Sequence, residues 1–183
     1  ADGSVGERIK QFYATIAKGG VGLIIVEESC CEYPLGASNI PHLRLDDDQY
    51  LGGLSELADA IHQHDCHAFV QITHAGPAHK SVDGQQPVAP STVDPPPEPG
   101  MELARELTTE EVREKIELYA QAAIRVKKAG FDGCEIHLAH YAMGNSFLSR
   151  IQNKRTDEYG CESLENRARF GCEILRRTRE LVG

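Results

Sequence analysis

The chain has no basic excess, no long apolar run and no paired-cysteine motif. Its 183 residues hold 19 Lys and Arg against 28 Asp and Glu, a formal charge of -9. That balance argues against a nucleic-acid surface, which needs clustered cations to neutralise phosphates. No apolar stretch approaches the ~18 residues that a membrane span requires. The six cysteines form no C-x-x-C pair, so zinc-ribbon, thioredoxin and iron–sulfur spacings are missing. Several sit inside apolar runs, where a free thiol behaves as a small hydrophobe, and reduced cysteines in a cytoplasmic protein are expected. Neither a Gly-rich phosphate loop nor a Rossmann glycine fingerprint is present, and no repeat of fixed period occurs. The first residue is Ala rather than Met, so the sequence is expected to begin inside a longer chain.

What is there is a regular alternation. Val5, Ile9, Phe12 and Ile16 recur at helical spacing, and Gly19-Gly20 ends that helix. GLIIVEE, Gly22 to Glu28, reads as a strand buried on both faces. Asp46-Asp47-Asp48 opens a second helix, with Leu54, Leu57, Ala58 and Ile61 inward. HAFVQI, His67 to Ile72, is the next strand. Ala75 to Glu106 shows no period and holds Pro95-Pro96-Pro97; a loop this long is usually functional or a linker. Thr108 and Glu111 form a capping box for a helix carrying Val112, Ile116, Tyr119, Ala123 and Val126 on one face. FDGCEIHL is a third strand. A last helix starts near Ser163, with Leu164, Ala168, Cys172 and Leu175 expected inward. Alternating strands and amphipathic helices make βαβ units and a parallel sheet, an α/β fold.

Each strand runs out into reactive side chains. Glu27 and Glu28 end the first, Gln71 and His74 the second, His137 and His140 the third. Ligands in α/β sheets and barrels sit at these carboxyl ends. His137 and His140 are three apart across a strand end, and a turn after His137 can bring the rings together. Two neutral imidazoles aimed at one spot can hold an oxygen that gains charge. The plain alternative, equally open on spacing alone, is one histidine capping a carbonyl and the other solvated. Gln71 presents a donor and an acceptor together, which suits the edge of a heterocycle but is common in structural roles too. Glu27 and Glu28 can act in acid–base chemistry, although an arginine partner is expected for Glu27. His62, His64 and His67 read as a solvated cluster. A third reading makes His137 and His140 ligands of a hydrolytic metal, with Glu28 or His74 as third ligand. The favoured reading has no metal.

QITHAG at Gln71 to Gly76, GFDGCEIHLAH at Gly130 to His140, FLSRIQNKRTDEYG and SLENRARF resemble the old yellow enzyme family, FMN-dependent NAD(P)H:flavin oxidoreductases and ene-reductases. The dienoyl-CoA reductase branch is the nearest likeness. ADGSV at the start and GGVGLIIVE at Gly19 to Glu27 fit too, so the resemblance covers essentially the whole chain in order. It implies a (β/α)8 TIM barrel with FMN at the strand ends, of which residues 1–183 would supply roughly strands 2 to 4 with flanking helices. The first strand and the C-terminal half of that single domain would lie outside the chain. It implies that Gln71 meets the flavin pyrimidine edge, that the Glu28 backbone lies beside the flavin, and that His137 and His140 hold the oxygen of an α,β-unsaturated carbonyl. NAD(P)H would be the reductant. The family's acidic tyrosine stands two residues after the second histidine; here Ala142 holds that place and Tyr141 is one earlier. Pro77 stands where the family has Arg. The alternative to catalysis is a half-barrel acting through its open sheet edges, by homo-oligomerisation or partner binding.

Overall fold

In a computed structural model, residues 2–38, 42–79, 84–96 and 99–183 are described. Ala1 and Pro97, which the sequence motifs include, lie outside these residues, as do residues 39–41 of the loop after the first strand. Helix α1 spans Glu7–Lys18 and strand β1 Leu23–Cys30. A two-residue strand β2 (Leu43–Arg44) precedes α2 (Leu51–His62) and β3 (His67–Thr73). The long loop holds β4 (Val88–Ala89) and β5 (Arg105–Glu106), and then come α3 (Thr109–Lys128), β6 (Gly133–Ile136), α4 (Met143–Leu148) and α5 (Leu164–Val182).

The main sheet runs β2-β1-β3-β6 with every pairing parallel. Strands β1, β3 and β6 lie side by side in chain order, each connected through a helix. That is the arc of a (β/α)8 barrel wall. On β3, Ala68, Val70 and Ile72 are fully buried under the helices, while Phe69 and Gln71 face the concave side. The expectation that β1 is buried on both faces fails. Ile24 and Val26 are buried, but Leu23 and Ile25 on the alternate positions are 47% and 41% exposed. No element among the described residues covers the concave face, so only the helix-side half of the strand is sealed.

The helices follow their signals closely. Thr108 caps α3 with its hydroxyl on the Glu111 N–H, and the Glu111 carboxylate returns to the Thr108 N–H at 2.7 Å. The inward face assigned to α5 is corrected. Leu164, Cys172 and Leu175 are exposed, and the buried stripe is Phe170, Ile174 and Thr178. Phe170 stacks on Phe147 of α4 with ring centroids 4.2 Å apart and meets Tyr119 of α3 edge-on. Aromatic partners on two neighbouring helices outweigh the leucine pattern. The exposed side of α1 likewise carries Phe12 and Ile16, while Tyr13 and Ala17 are buried.

The long loop is not structureless. β4 and β5 pair in parallel, and a buried Arg155 ties them down by donating to the carbonyls of Pro90, at 3.0 Å, and Leu107. Its guanidinium also grips Asp157, whose carboxyl the arginine draws down to about 2. Asn153, fully buried, donates to the carbonyls of Phe147 (2.9 Å) and Tyr159 (2.7 Å), holding the chain between α4 and α5.

Phe170→Ala should cost ~3–5 kcal/mol of stability in urea unfolding, as large-to-small changes in tight cores do. Leu164→Ala, at a side chain 64% exposed, should stay within ~0.5 kcal/mol. Equal losses would return Leu164 to the core.

Candidate active site

Where β1, β3 and β6 end, a cleft of about 330 Å³ opens. Glu28, Gln71, His137 and His140 all line it, along with Ser38, His42 and Thr73. Glu28, Gln71, His137 and His140, to which the family resemblance assigns roles, therefore meet in one place. Tyr141 is not among the lining residues and is 37% exposed beside them.

The histidine pair depends on a sharp turn. The His137 N–H closes the β3–β6 ladder on the Ile72 carbonyl at 3.0 Å. His140 and Tyr141 then both take left-handed backbone, with φ of 53° and 59°. That conformation costs L-residues of order 1–3 kcal/mol each and persists only where surroundings impose it. Here it folds the chain back until the two rings are 5.3 Å apart, centroid to centroid. The turn is pinned from beyond. The Met143 N–H, opening α4, donates to the His74 carbonyl at 3.0 Å. Gly76 permits this approach, because a Cβ there would lie 2.8 Å from the Met143 Cα.

Burial pushes the His137 imidazole below the ordinary histidine range; His140 adds to this, and the Glu28 carboxylate pulls the other way. A neutral ring still has an N–H to give, so the pair can hold a carbonyl oxygen without prior protonation.

Gln71 sits opposite Glu135 in the β3–β6 register, and its amide donates one N–H to the Glu135 carboxylate. The second N–H and the carbonyl oxygen can serve a ligand. The Thr73 hydroxyl is buried without a hydrogen-bond partner at the cleft wall. An orphaned buried hydroxyl beside a donor–acceptor amide is an arrangement that a polar heterocycle completes. Thr73 escaped the sequence reading; its only signal was its place two residues beyond Gln71.

Glu28 occupies an irregularity in β1. The β1–β3 register shifts between Val26 and Ser29, the local bend of a bulge. His42 holds the bulge: its Nδ1 lies 3.0 Å from the Glu28 carbonyl, and its Nε2 accepts the Ser38 N–H at 3.3 Å. That pattern is the neutral Nδ1–H tautomer. Glu27 departs from expectation. Instead of an arginine it takes the Tyr13 hydroxyl of α1, which also accepts the Glu27 N–H at 2.9 Å. The register shift begins just before Glu27, and its carboxylate is held by Tyr13 of α1. His62 and His67 both approach Asp132, His62 at 2.8 Å, at the far end of the sheet. For the metal reading, His74 is fully buried and committed to Glu32, and among the described residues no group of three or more His, Cys, Asp and Glu could hold a metal ion.

Behind the cleft lies a buried charge network. Lys115 of α3 donates to both oxygens of Glu32, at 2.8 and 2.6 Å. The His74 Nε2–H donates to the same carboxylate at 2.7 Å, while its Nδ1 accepts the Gly76 N–H. Burial alone would raise the Glu32 carboxyl, but His74 and Lys115 bring it down to about 2.

Three comparisons with known proteins bear on this geometry. Residues 1–183 match the family described as NADH:flavin oxidoreductase / NADH oxidase. The chain belongs to this family. An NADH oxidase of Thermoanaerobacter brockii is 46% identical over 187 residues, covering all of this chain and 28% of its own length. A 2-naphthoyl-CoA reductase structure superposes with a TM-score of 0.93 at 33% identity, over the whole chain and 29% of the reductase. Morphinone reductase in complex with tetrahydroNAD gives 0.89 at 32% identity, over 53% of that enzyme. The chain thus spans between about a quarter and a half of these relatives, and its α/β arc is part of their barrel fold. The flavin that the family name implies fits the residues present. Gln71 offers both hydrogen-bond senses, Thr73 an unused hydroxyl, and the cleft has room against the strand ends.

The charge network predicts acid sensitivity. The Glu32 carboxyl lies below its usual 4.5, at about 2, so its contribution is fully present above pH 4.5 and is lost as pH falls toward 2. Linkage makes that roughly 3 kcal/mol. Lys115→Met should destabilise by ~1.5–3 kcal/mol at neutral pH by leaving a partly buried carboxylate with His74 alone, and Lys115→Met with Glu32→Gln should recover part of it. Denaturant titrations from pH 7 to pH 2.5 check both.

Proposed function

We propose that the protein reduces the C=C bond of α,β-unsaturated carbonyl compounds, as an FMN-dependent NAD(P)H oxidoreductase, with His137 and His140 as its oxyanion clamp. The observation that carries this is the imidazole pair turned into the same cleft as Gln71. Residues 1–183 are taken as part of a single FMN-binding barrel domain, a reading supported by the share of the relatives' length that they span. The names of two structural neighbours, 2-naphthoyl-CoA reductase and morphinone reductase, support reduction of a conjugated small molecule. A cytoplasmic setting accords with six free thiols, and among the described residues no helix is long and apolar enough to cross a membrane.

FMN, when bound, would supply hydride chemistry drawn from NAD(P)H. Gln71 and Thr73 would hold its ring system through the side-chain amide and the orphaned hydroxyl, with the Glu28 main chain beside it. His137 and His140 donate to the carbonyl oxygen, polarise the double bond and hold the enolate oxygen as charge develops. Burial disfavours the cationic form of His137, so that ring gives a hydrogen bond rather than a proton. Protonation of the α-carbon falls to Tyr141, which follows the clamp and is partly open to solvent. The second reading, action through open sheet edges as a homo-oligomer, rests on the β1 backbone from Leu23 to Val26, which pairs with β3 alone because β2 reaches only Ser29 and Cys30.

His137→Ala and His140→Ala should each lower the rate of unsaturated-ester reduction by ~100-fold or more while flavin content is retained, the usual loss on removing an oxyanion donor. Single-turnover mixing of the reduced protein with the ester reads this directly. Unchanged rates in both variants would remove the clamp from the mechanism. Tyr141→Phe separates the proton step: a rate within ~2-fold of the parent hands that step to water.

A further inference from the structure

The cleft carries one formally charged side chain, Glu28; no lysine or arginine lines it among the described residues. The nearby buried cations are committed elsewhere, Lys115 to Glu32 and Arg155 to Asp157. Among the described residues no lysine or arginine pairs with the carboxylate. It is 37% exposed, and His42 Nδ1 stands 3.9 Å from its Oε1 while serving the Glu28 carbonyl instead. With Nδ1 engaged on the Glu28 carbonyl, His42 makes no hydrogen bond to the carboxylate. The bulge and the His42 hydrogen bond fix the Glu28 main chain, which sets where its side chain enters the cleft.

We infer that Glu28 is a charge filter: the site accepts neutral unsaturated carbonyls, such as esters, thioesters and ketones, and rejects free unsaturated carboxylates. This rests on the proposed reduction. A carboxylate substrate placing an oxygen on the histidine pair brings its negative charge into a small cleft beside a like charge. The repulsion strengthens as bound flavin and substrate displace water from this wall and screening falls. An ester of the same shape carries the same carbonyl oxygen to the same donors without that penalty. Specificity built on a repulsive element is a common way to separate near-identical ligands.

The test compares cinnamate with methyl cinnamate on the full-length, flavin-loaded protein. The quantity read is the ratio of kcat/KM for ester over acid, with calorimetric binding of the saturated acid and saturated ester as a readout independent of turnover. The wild-type protein should favour the ester in both. Glu28→Gln should shrink both ratios by about tenfold, equivalent to ~1.4 kcal/mol, and Glu28→Asp should restore most of the discrimination. Ratios unchanged in Glu28→Gln, or a wild-type protein that takes acid and ester equally, would overturn the filter while leaving the reductase intact. Discrimination in binding that Glu28→Gln abolishes, with no reduction of either compound, would keep the filter and overturn the reductase. Neither binding nor turnover would overturn both.

Discussion

The site depends on the ion pair between Lys115 and Glu32 and on the histidine that shares its carboxylate. Glu32 lies in the loop after β1, His74 in the loop after β3, and Lys115 on α3 behind them. Three stretches distant in sequence thus converge on one carboxylate. His74 extends the chain of contacts, since its carbonyl receives the Met143 N–H just past the turn that carries His140. The ion pair is thus linked, through His74, to the backbone just past the turn that carries His140. The network is well satisfied: both Glu32 oxygens are bonded, and both His74 ring nitrogens have partners. Partly satisfied, it would be worse than an apolar core.

The left-handed pair His140 and Tyr141 shows what that rigidity is for. Neither residue has glycine's freedom, yet both hold positive φ. The strain sits in the stretch whose side chains must converge, the usual place for a local conformational cost to be tolerated. His140 is itself exposed, so the turn is what keeps its ring 5.3 Å from the buried His137 ring.

Much of this was legible in the sequence, and the misses have definite causes. The helix termini were readable because Thr108, Glu111 and the closing glycines each satisfy a specific backbone need. The cluster of Glu28, Gln71, His137 and His140 was readable because parallel strands bring their carboxyl ends to one side. The inward face of α5 was misread because Leu164 and Leu175 scored as hydrophobic while Phe170 found ring partners on two other helices. β4 and β5 have two residues each and leave no periodic trace; their order comes from Arg155, far along the chain. Glu27 was matched to a missing arginine because the register shift beside it, where Tyr13 holds its carboxylate, has no signature in the residues themselves.

The most direct test of the central claim is a crystal structure of the flavin-loaded protein soaked with a non-reducible unsaturated amide. The account predicts one ligand oxygen within ~2.7–3.2 Å of a ring nitrogen of both His137 and His140, with Gln71 on the flavin's pyrimidine edge. A ligand oxygen held elsewhere, with the two imidazoles bonded only to protein or solvent, would contradict it.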